Sequence, residues 1–383
     1  MALHRNRTLL ALAFFQVCAG LIEVESILFG AFMSSLGTTP HTLGFVLGAG
    51  YAVGVLGSIL GGRLVDIVGA RIVFLGSIAL SIVGLVVEAF SPTWIVAAVG
   101  FFMIQFSQMS LRPSALRIIA EAFPDSMGAA LGFLYTAYSG VAVAGPLLAG
   151  WLAQHYGWNA VFMGKAGLYL LAFFVLTMFI PTGGKLASLT QGENLRGWVF
   201  VFRKMPLVML YVAAFIGAFF SYASSFLSYD PRLSASPLAL AVFPSIFNLS
   251  QLVSSWPSGV LGDKAGYWKI VLGGAVLMGC AWLLFPIPSE TVFLYILYLV
   301  FSIGSIMSNY IEVLAVKLSP TTGQGLAVGF LDVARFMGFS LGEIFGGMLW
   351  QYAGPSVSYL LAGLGYILAY VFLLLSYRSS KES

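Results

Sequence analysis

The sequence predicts an all-α membrane protein: twelve transmembrane helices in two pseudo-symmetric six-helix bundles. Three observations carry that prediction. Hydrophobic residues make up 60% of the 383-residue chain and charged residues 8%, against about 25% charge in a soluble domain. Apolar runs recur from Thr8 to Tyr377, each near the ~20 residues that a helix needs to cross hydrocarbon. The third observation is a repeat. Gly62-Arg63-Leu64-Val65-Asp66-Ile67-Val68-Gly69 returns as Gly259-Val260-Leu261-Gly262-Asp263-Lys264-Ala265-Gly266, 197 residues on. The same offset links Gly128 with Gly325, Gly132 with Gly329, Gly145 with Gly342, Gly150 with Gly347, Gln154 with Gln351 and Gly157 with Gly354. A duplicated helical half in so apolar a chain points to a carrier with a central pathway between two halves.

The predicted spans are 8–36, 42–61, 71–90, 93–121, 127–153, 158–180, 205–229, 236–257, 269–287, 291–317, 324–351 and 356–377. Their apolar runs are continuous rather than alternating, which excludes a transmembrane β-barrel. Residues 1–181 form an N-terminal six-helix bundle, 182–204 a polar cytoplasmic linker and 205–383 the C-terminal bundle.

Taken in order, the spans differ in their polar content. The first carries Gln16, Gly20, Glu23 and Ser26 at helical spacing, one face of a helix. The second carries Gly50-xxx-Gly54 and Gly57-xxx-Gly61, which let backbones approach closely. The fourth carries Gln105, Gln108 and Arg112, and the fifth Tyr135 and Tyr138. The seventh carries Ser221, Ser225 and Ser228, the eighth Asn248 and Gln251, and the tenth Ser302, Ser305, Asn309 and Glu312. The eleventh combines Gly338-xxx-Gly342-xxx-Gly346 with Asp332, Arg335 and Glu343. Spans three, nine and twelve lack polar stripes and read as lipid-facing supports.

Topology follows from basic residues, which concentrate in cytoplasmic loops. Arg5, Arg7, Arg63, Arg71, Lys185, Arg196, Arg203, Lys204, Lys264, Lys269, Lys317, Arg378 and Lys381 fall on one side of this assignment, and Arg232 falls opposite. Both termini are therefore expected in the cytoplasm, with the first span an uncleaved anchor in the plasma membrane. The asymmetry accounts for the net charge of +4 without a nucleic-acid partner. Cys18 and Cys280 read as buried thiols, and His4, His41 and His155 sit near span ends. No metal site or cofactor is expected. Short loops leave no room for a nucleotide-binding domain, and no GxxxxGK[ST] loop occurs, so ion or solute gradients must drive the carrier.

A charge near the bilayer centre costs about 2.5–3.5 kcal/mol on insertion scales and persists where it is paired or faces water. Glu23 and Glu25 are two residues apart, hence about 200° apart on a helix. Glu23 is expected in the cavity as substrate ligand or proton carrier, with permanent pairing to a cation as the alternative. Glu25 lies at a depth similar to Lys165 and is expected to form a structural ion pair with it. Arg112 is expected either to bind an anion or to pair with Asp332, and Asp332 and Arg335 sit one turn apart. Glu343 stands where its repeat partner is Pro146 and reads as a hydrogen-bonded carboxylic acid.

The two GxLxDxxG-type loops, between spans 2 and 3 and between spans 8 and 9, resemble motif A of the major facilitator superfamily. Glu121-Ala122-Phe123-Pro124 followed by Gly128, and Gly140 to Gly150 with Gly145-Pro146, look like its span 4–5 region. The resemblance covers nearly the whole chain. It implies that spans 1, 4, 7 and 10 line the cavity. It also implies a cytoplasmic latch: Asp66, between Gly62 and Gly69, facing the start of span 11 at Gly323–Gly325; Asp263 facing the start of span 5 near Gly128; and Arg71 pairing with Glu121. The Gly-Pro segment resembles motif C of proton-coupled antiporters, which favours efflux. However, Phe101 and Phe102 occupy the region where many such exporters carry an arginine. Phe29-Gly30-Ala31-Phe32 also looks like the monocarboxylate and oxalate–formate branch, whose span 8 charges are missing here. The expectation is a monomeric, proton-coupled carrier of a small organic anion, held in the lipid bilayer and not an enzyme. The alternative is a proton-driven exporter of drugs or metabolites.

Overall fold

Four glycines with left-handed backbone mark the repeat in three dimensions. In the computed structural model Gly69 and Gly266 have φ of 94° and 93°, and Gly157 and Gly354 both have φ of 83°. Each pair is 197 residues apart, and each member ends one helix and starts the next. A side chain is strained at such φ, so glycine is the residue that turns the chain there.

The structure describes residues 2–24, 26–123, 127–180, 204–233, 236–319 and 324–382, without the side chains of 2–6, 26, 128, 129, 324–326 and 382. The first half runs α1 Ala2–Leu21, α2 Ser26–Ser35, α3 Pro40–Val68, α4 Ala70–Ala89, α5 Trp94–Ala122, α6 Met127–Ala142, α7 Gly145–Tyr156 and α8 Trp158–Phe179. The second runs α9 Met205–Phe219, 3-10 turns Phe220–Ser224 and Leu227–Tyr229, α10 Pro237–Ala265, α11 Tyr267–Leu284, α12 Thr291–Ser308, α13 Ile311–Leu318 and α14 Gln324–Glu382. Among the described residues, ten helical segments are long and apolar enough to cross a membrane. One of them, α14, holds two spans divided at Gly354, and the first span is split into the shorter α1 and α2. Twelve crossings result. The linker expected at 182–204 lies outside the described residues except for Lys204.

Two sequence expectations change. The segments resembling motif A are not loops. Helix α3 continues through Asp66 to Val68, α10 continues through Asp263 to Ala265, and Gly69 and Gly266 end them. The first span is also not one helix, because α1 stops at Leu21 and residues 22–24 are non-helical. Its repeat counterpart behaves alike: α9 stops at Phe219 and gives way to 3-10 turns. Backbone freed from helical bonding at membrane depth is tolerated where protein buries it or where it lines a wet cavity. Matching breaks thus stand in the first span of each half.

The chain forms two compact units. One contains Met1–Thr38, Ala49–Leu189 and Ala235–Ser245; the other contains Thr39–Gly48, Thr190–Ser234 and Ile246–Ser383. The division follows the expected halves except for two short helix starts, each grouped with the opposite half. These segments end at Gly48 and Ser245, again 197 residues apart. Small residues make both groupings possible. A Cβ added at Gly150 would lie 2.8 Å from the Pro237 carbonyl oxygen, and one at Gly347 would lie 2.5 Å from that of Pro40.

Candidate functional site

In the first unit, the broken first span sets the position of Glu23. At Gly145, where α7 begins, an added Cβ would run into the carbonyl of Gly20. This close crossing brings the end of α1 against the α6–α7 turn. Glu23, just past the helix end, is 5% exposed. Tyr138 Oη on α6 donates to its Oε1 at 2.6 Å. Glu23 thus sits at a helix break and does not continue the helical stripe of Gln16 and Gly20.

A cavity of about 430 Å³ opens in the same unit. Gln16 of α1, Gln108 and Arg112 of α5 and Tyr135 of α6 supply its polar lining, and Phe15, Leu111 and Leu134 are among its apolar walls. Arg112 and Tyr135 are exposed. Gln108 Nε2 donates to Tyr169 Oη at 3.0 Å, and the Tyr169 ring lies 5.5 Å from that of Phe15. Of the residues expected here, Glu23, Tyr138 and Gln105 lie outside the cavity lining. A Cβ at Gly54 would lie 3.7 Å from the Gln105 backbone oxygen, so that turn of α5 packs on α3.

One acidic residue escaped the sequence reading. Glu88 on α4 is 3% exposed, with the Lys165 charge acting on it from α8. The Lys165 ammonium also lies 6.0 Å from the Tyr169 ring centre. Span three is therefore not a plain lipid-facing support. Glu25, the expected partner of Lys165, lies outside the described residues. The signal was available: Glu88 is the one carboxylate within the apolar run 71–90.

In the second unit, a smaller cavity of about 120 Å³ is lined by Ser221, Ser305, Ser308, Asn309, Arg335 and Tyr366 among others. Arg335 Nη1 pairs with Glu312 Oε1 at 2.5 Å, not with Asp332 one turn away. The α12–α13 break at Asn309–Tyr310 turns Glu312 toward α14. Asp332 is half-buried. Ser225 Oγ donates to Glu343 Oε1 at 2.7 Å. Asn248 is buried on α10, whereas Gln251 is exposed.

After span seven, Asp230 accepts from Arg232 Nη2 at 2.7 Å and from Tyr359 Oη at 2.6 Å. Arg232 also donates to the carbonyls of Phe285 at 3.1 Å and Pro288 at 2.7 Å. Burial pushes the Asp230 carboxyl up, but the hydrogen bonds from Arg232 and Tyr359 outweigh it and hold it below its ordinary value. The one basic residue expected opposite the cytoplasm is thus a structural clasp.

Of the expected latch contacts, the Arg71–Glu121 pair is replaced by others. Arg71 Nη2 donates to the Thr177 carbonyl at 2.6 Å, while Glu121 pairs with Arg117 one turn earlier at 2.6 Å. An i, i+4 partner on the same helix is simply nearer to Glu121 than Arg71 is. Asp66 is exposed, and Asp263 accepts from Tyr267 Oη across the Gly266 break at 2.6 Å. The expected facing points, Gly323–Gly325 and Gly128, fall outside the residues whose side chains are described.

Comparison with known proteins agrees with this architecture. The chain is 28% identical to the MFS-type transporter SLC18B1 of Rattus norvegicus over 89% of its own length and 79% of that protein's. It is 28% identical to the multidrug resistance protein MdtG of Escherichia fergusonii, covering 64% of this chain and 63% of that one. It is 31% identical to the "Probable galactarate/D-glucarate transporter GudP" of Bacillus subtilis, over 42% of this chain and 38% of that one. Among solved structures, a bacterial homologue of the human lysosomal transporter Spinster superposes with a TM-score of 0.80 at 14% identity, covering 98% of this chain and 97% of the other. The family model described as Major Facilitator Superfamily matches residues 10–311 and 232–383. The protein, an integral membrane transporter, belongs to the Major Facilitator Superfamily.

Proposed function

We propose that this carrier moves a small organic anion across the plasma membrane by alternating access, coupled to protons. It acts as a monomer with both termini in the cytoplasm. The observation that carries the reading is Arg112 at a cavity of about 430 Å³, within the ~300–1,000 Å³ of small-molecule sites. A guanidinium keeps its charge at any accessible pH and offers a planar fork that matches a carboxylate. Gln16, Gln108 and Tyr135 add neutral hydrogen-bonding groups, and the aromatic and aliphatic walls strengthen a charge-assisted bond by excluding water. The similarity to a protein named as a sugar-diacid transporter supports the same substrate class. Glu23, buried at a helix break, is the proposed proton carrier. Asn248, Gln251, Asn309, Asp332 and Arg335 are the candidate lining of the second half. Asp66 and Asp263, at matching helix ends, are the proposed latch carboxylates.

A second reading is proton-driven efflux of drugs or metabolites. Gly145-Pro146 at the start of α7 and the similarity to MdtG favour it.

A thermal-shift screen of the purified chain separates the two, using mono- and dicarboxylates and cationic dyes on wild type and Arg112→Gln. The anion reading expects a carboxylate to raise the wild-type melting temperature and to lose that effect in the variant. Stabilisation by cationic dyes, equal in both proteins, would overturn it in favour of efflux.

A further inference from the structure

Glu343 is where the duplicated halves part chemically, because its counterpart 197 residues earlier is Pro146. Proline asks nothing of its surroundings, whereas a carboxyl group must be solvated or partnered. Glu343 is 2% exposed, within the glycine-rich face of α14. Ser225 Oγ donates to its Oε1 at 2.7 Å. Its Oε2 is buried with no hydrogen-bond partner among the described residues. The ion pairs Arg117–Glu121, Asp230–Arg232 and Glu312–Arg335 do not involve it. An ionised carboxylate resting on one neutral hydrogen bond is strongly disfavoured in such a place, whereas the protonated acid is not.

Part of what covers this turn of α14 is the start of α3. An added Cβ at Gly44 would strike the Glu343 carbonyl oxygen, and a Cβ at Gly347 would meet Pro40. Ser340 Oγ donates to the Gly48 carbonyl at 2.8 Å, and the His41 N–H donates to Gln351 Oε1 at 3.2 Å. Residues Thr39–Gly48 belong to the second compact unit, while α3 from Ala49 onward belongs to the first. One helix is therefore shared between two units, and its first turns are seated on the segment that holds the carboxyl group.

We propose that Glu343 is a proton-binding site that keeps the first turns of α3 seated on α14. With a proton bound, the neutral acid stays buried beside Ser225. Without it, the carboxylate draws water and α3 lifts away. The proton adds to a carboxylate oxygen and leaves to water, so no other reactant is needed. This inference does not rest on Glu23 or on the nature of the cargo.

From the α9 side, Tyr222 commits its hydroxyl to the Ser358 carbonyl at 3.0 Å. From α3, His41 lies in the first turn. On α14 itself the nearest charged residue is Arg335, which is held by Glu312. His41 is the group whose titration must be separated from that of Glu343.

The test uses the full chain in proteoliposomes, with Cys18 and Cys280 replaced and spin labels at Phe45→Cys and Tyr352→Cys, both exposed positions. The label separation is followed from about pH 5 to about pH 9, a range that covers buried carboxyl groups. In wild type the short separation should dominate at low pH and be lost as pH rises. Glu343→Gln should keep it at every pH, Glu343→Asp should move the midpoint, and His41→Gln and Glu23→Gln should titrate like wild type. A wild-type separation indifferent to pH overturns the proposal even if Glu343→Gln fails to fold. So does a response that survives in Glu343→Gln, or one that disappears in His41→Gln.

Discussion

Tyr138 donates to Glu23 across 2.6 Å, from the middle of α6 to the break in the first span. A phenol bound to a carboxyl group buried at membrane depth holds that group in one rotamer. Hydrogen bonds to charged groups contribute about 1.5–3 kcal/mol. Glu23→Gln should abolish proton-driven accumulation of the solute chosen by the ligand screen while sparing solute exchange. Tyr138→Phe should reduce coupled uptake roughly 10- to 100-fold, the range that bond energy implies. Paired measurements of tracer uptake and internal pH in proteoliposomes check both. Unchanged coupling in Glu23→Gln would remove it as the proton carrier.

Much of this was legible in the sequence, for physical reasons. Span positions follow from apolar run length, and the repeat read from sequence reappears as matched positive-φ turns at Gly69 and Gly266. Gln16, Gln108 and Arg112, singled out by polar spacing along their helices, line one cavity. The breaks after Leu21 and Phe219 were not legible, since Glu23 and Ser221 sit at spacings that continue the helical faces of their spans. Nor were the partners of Arg71, Glu121 and Arg335. An arginine reaches any acceptor in a wide shell, and spacing along one helix says nothing about neighbours on another.

Asp230 makes stability sensitive to acid. Its folded-state value lies below the unfolded one, so its contribution is full above the unfolded value near ~4 and is lost as pH falls through the folded value. Asp230→Asn should lower stability by about 2–3 kcal/mol at neutral pH, since it leaves Arg232 half-partnered beside two carbonyls. It should also flatten the loss below pH ~4. Melting curves of the detergent-purified protein against pH check this, and a variant with the wild-type acid profile would contradict it.

Glu312 and Arg335 pair across α13 and α14, but Glu312 is 44% exposed, which limits the value of the bond. Removing either charge should cost about 1 kcal/mol or less. The reversed pair, Glu312→Arg with Arg335→Glu, should recover most of the loss. Failure of the reversal, with normal folding, would mean that Arg335 serves the adjoining cavity rather than Glu312 alone. Ligand binding by the reversed protein then distinguishes a structural pair from a cargo contact.

Glu88 and Lys165 offer the sharpest test of what a buried charge contributes in this fold. Glu88 is buried on α4, and Lys165 on α8 lies beside the Tyr169 ring, whose hydroxyl accepts from Gln108 in the cavity wall. Lys165 is half-buried and acts on Glu88 through its charge, so the two offer less than a fully buried ion pair, whose one-sided breakage typically costs about 3–5 kcal/mol. Glu88→Gln and Lys165→Met should therefore each destabilise by less than that, and the double variant should lose less than the sum of the two. Because Lys165 also steadies Tyr169, Lys165→Met alone should weaken ligand binding at Arg112 more than Glu88→Gln does. A double-mutant cycle on melting temperature, read beside ligand-induced shifts, measures both effects. Additive losses would show that the two charges do not act as a pair.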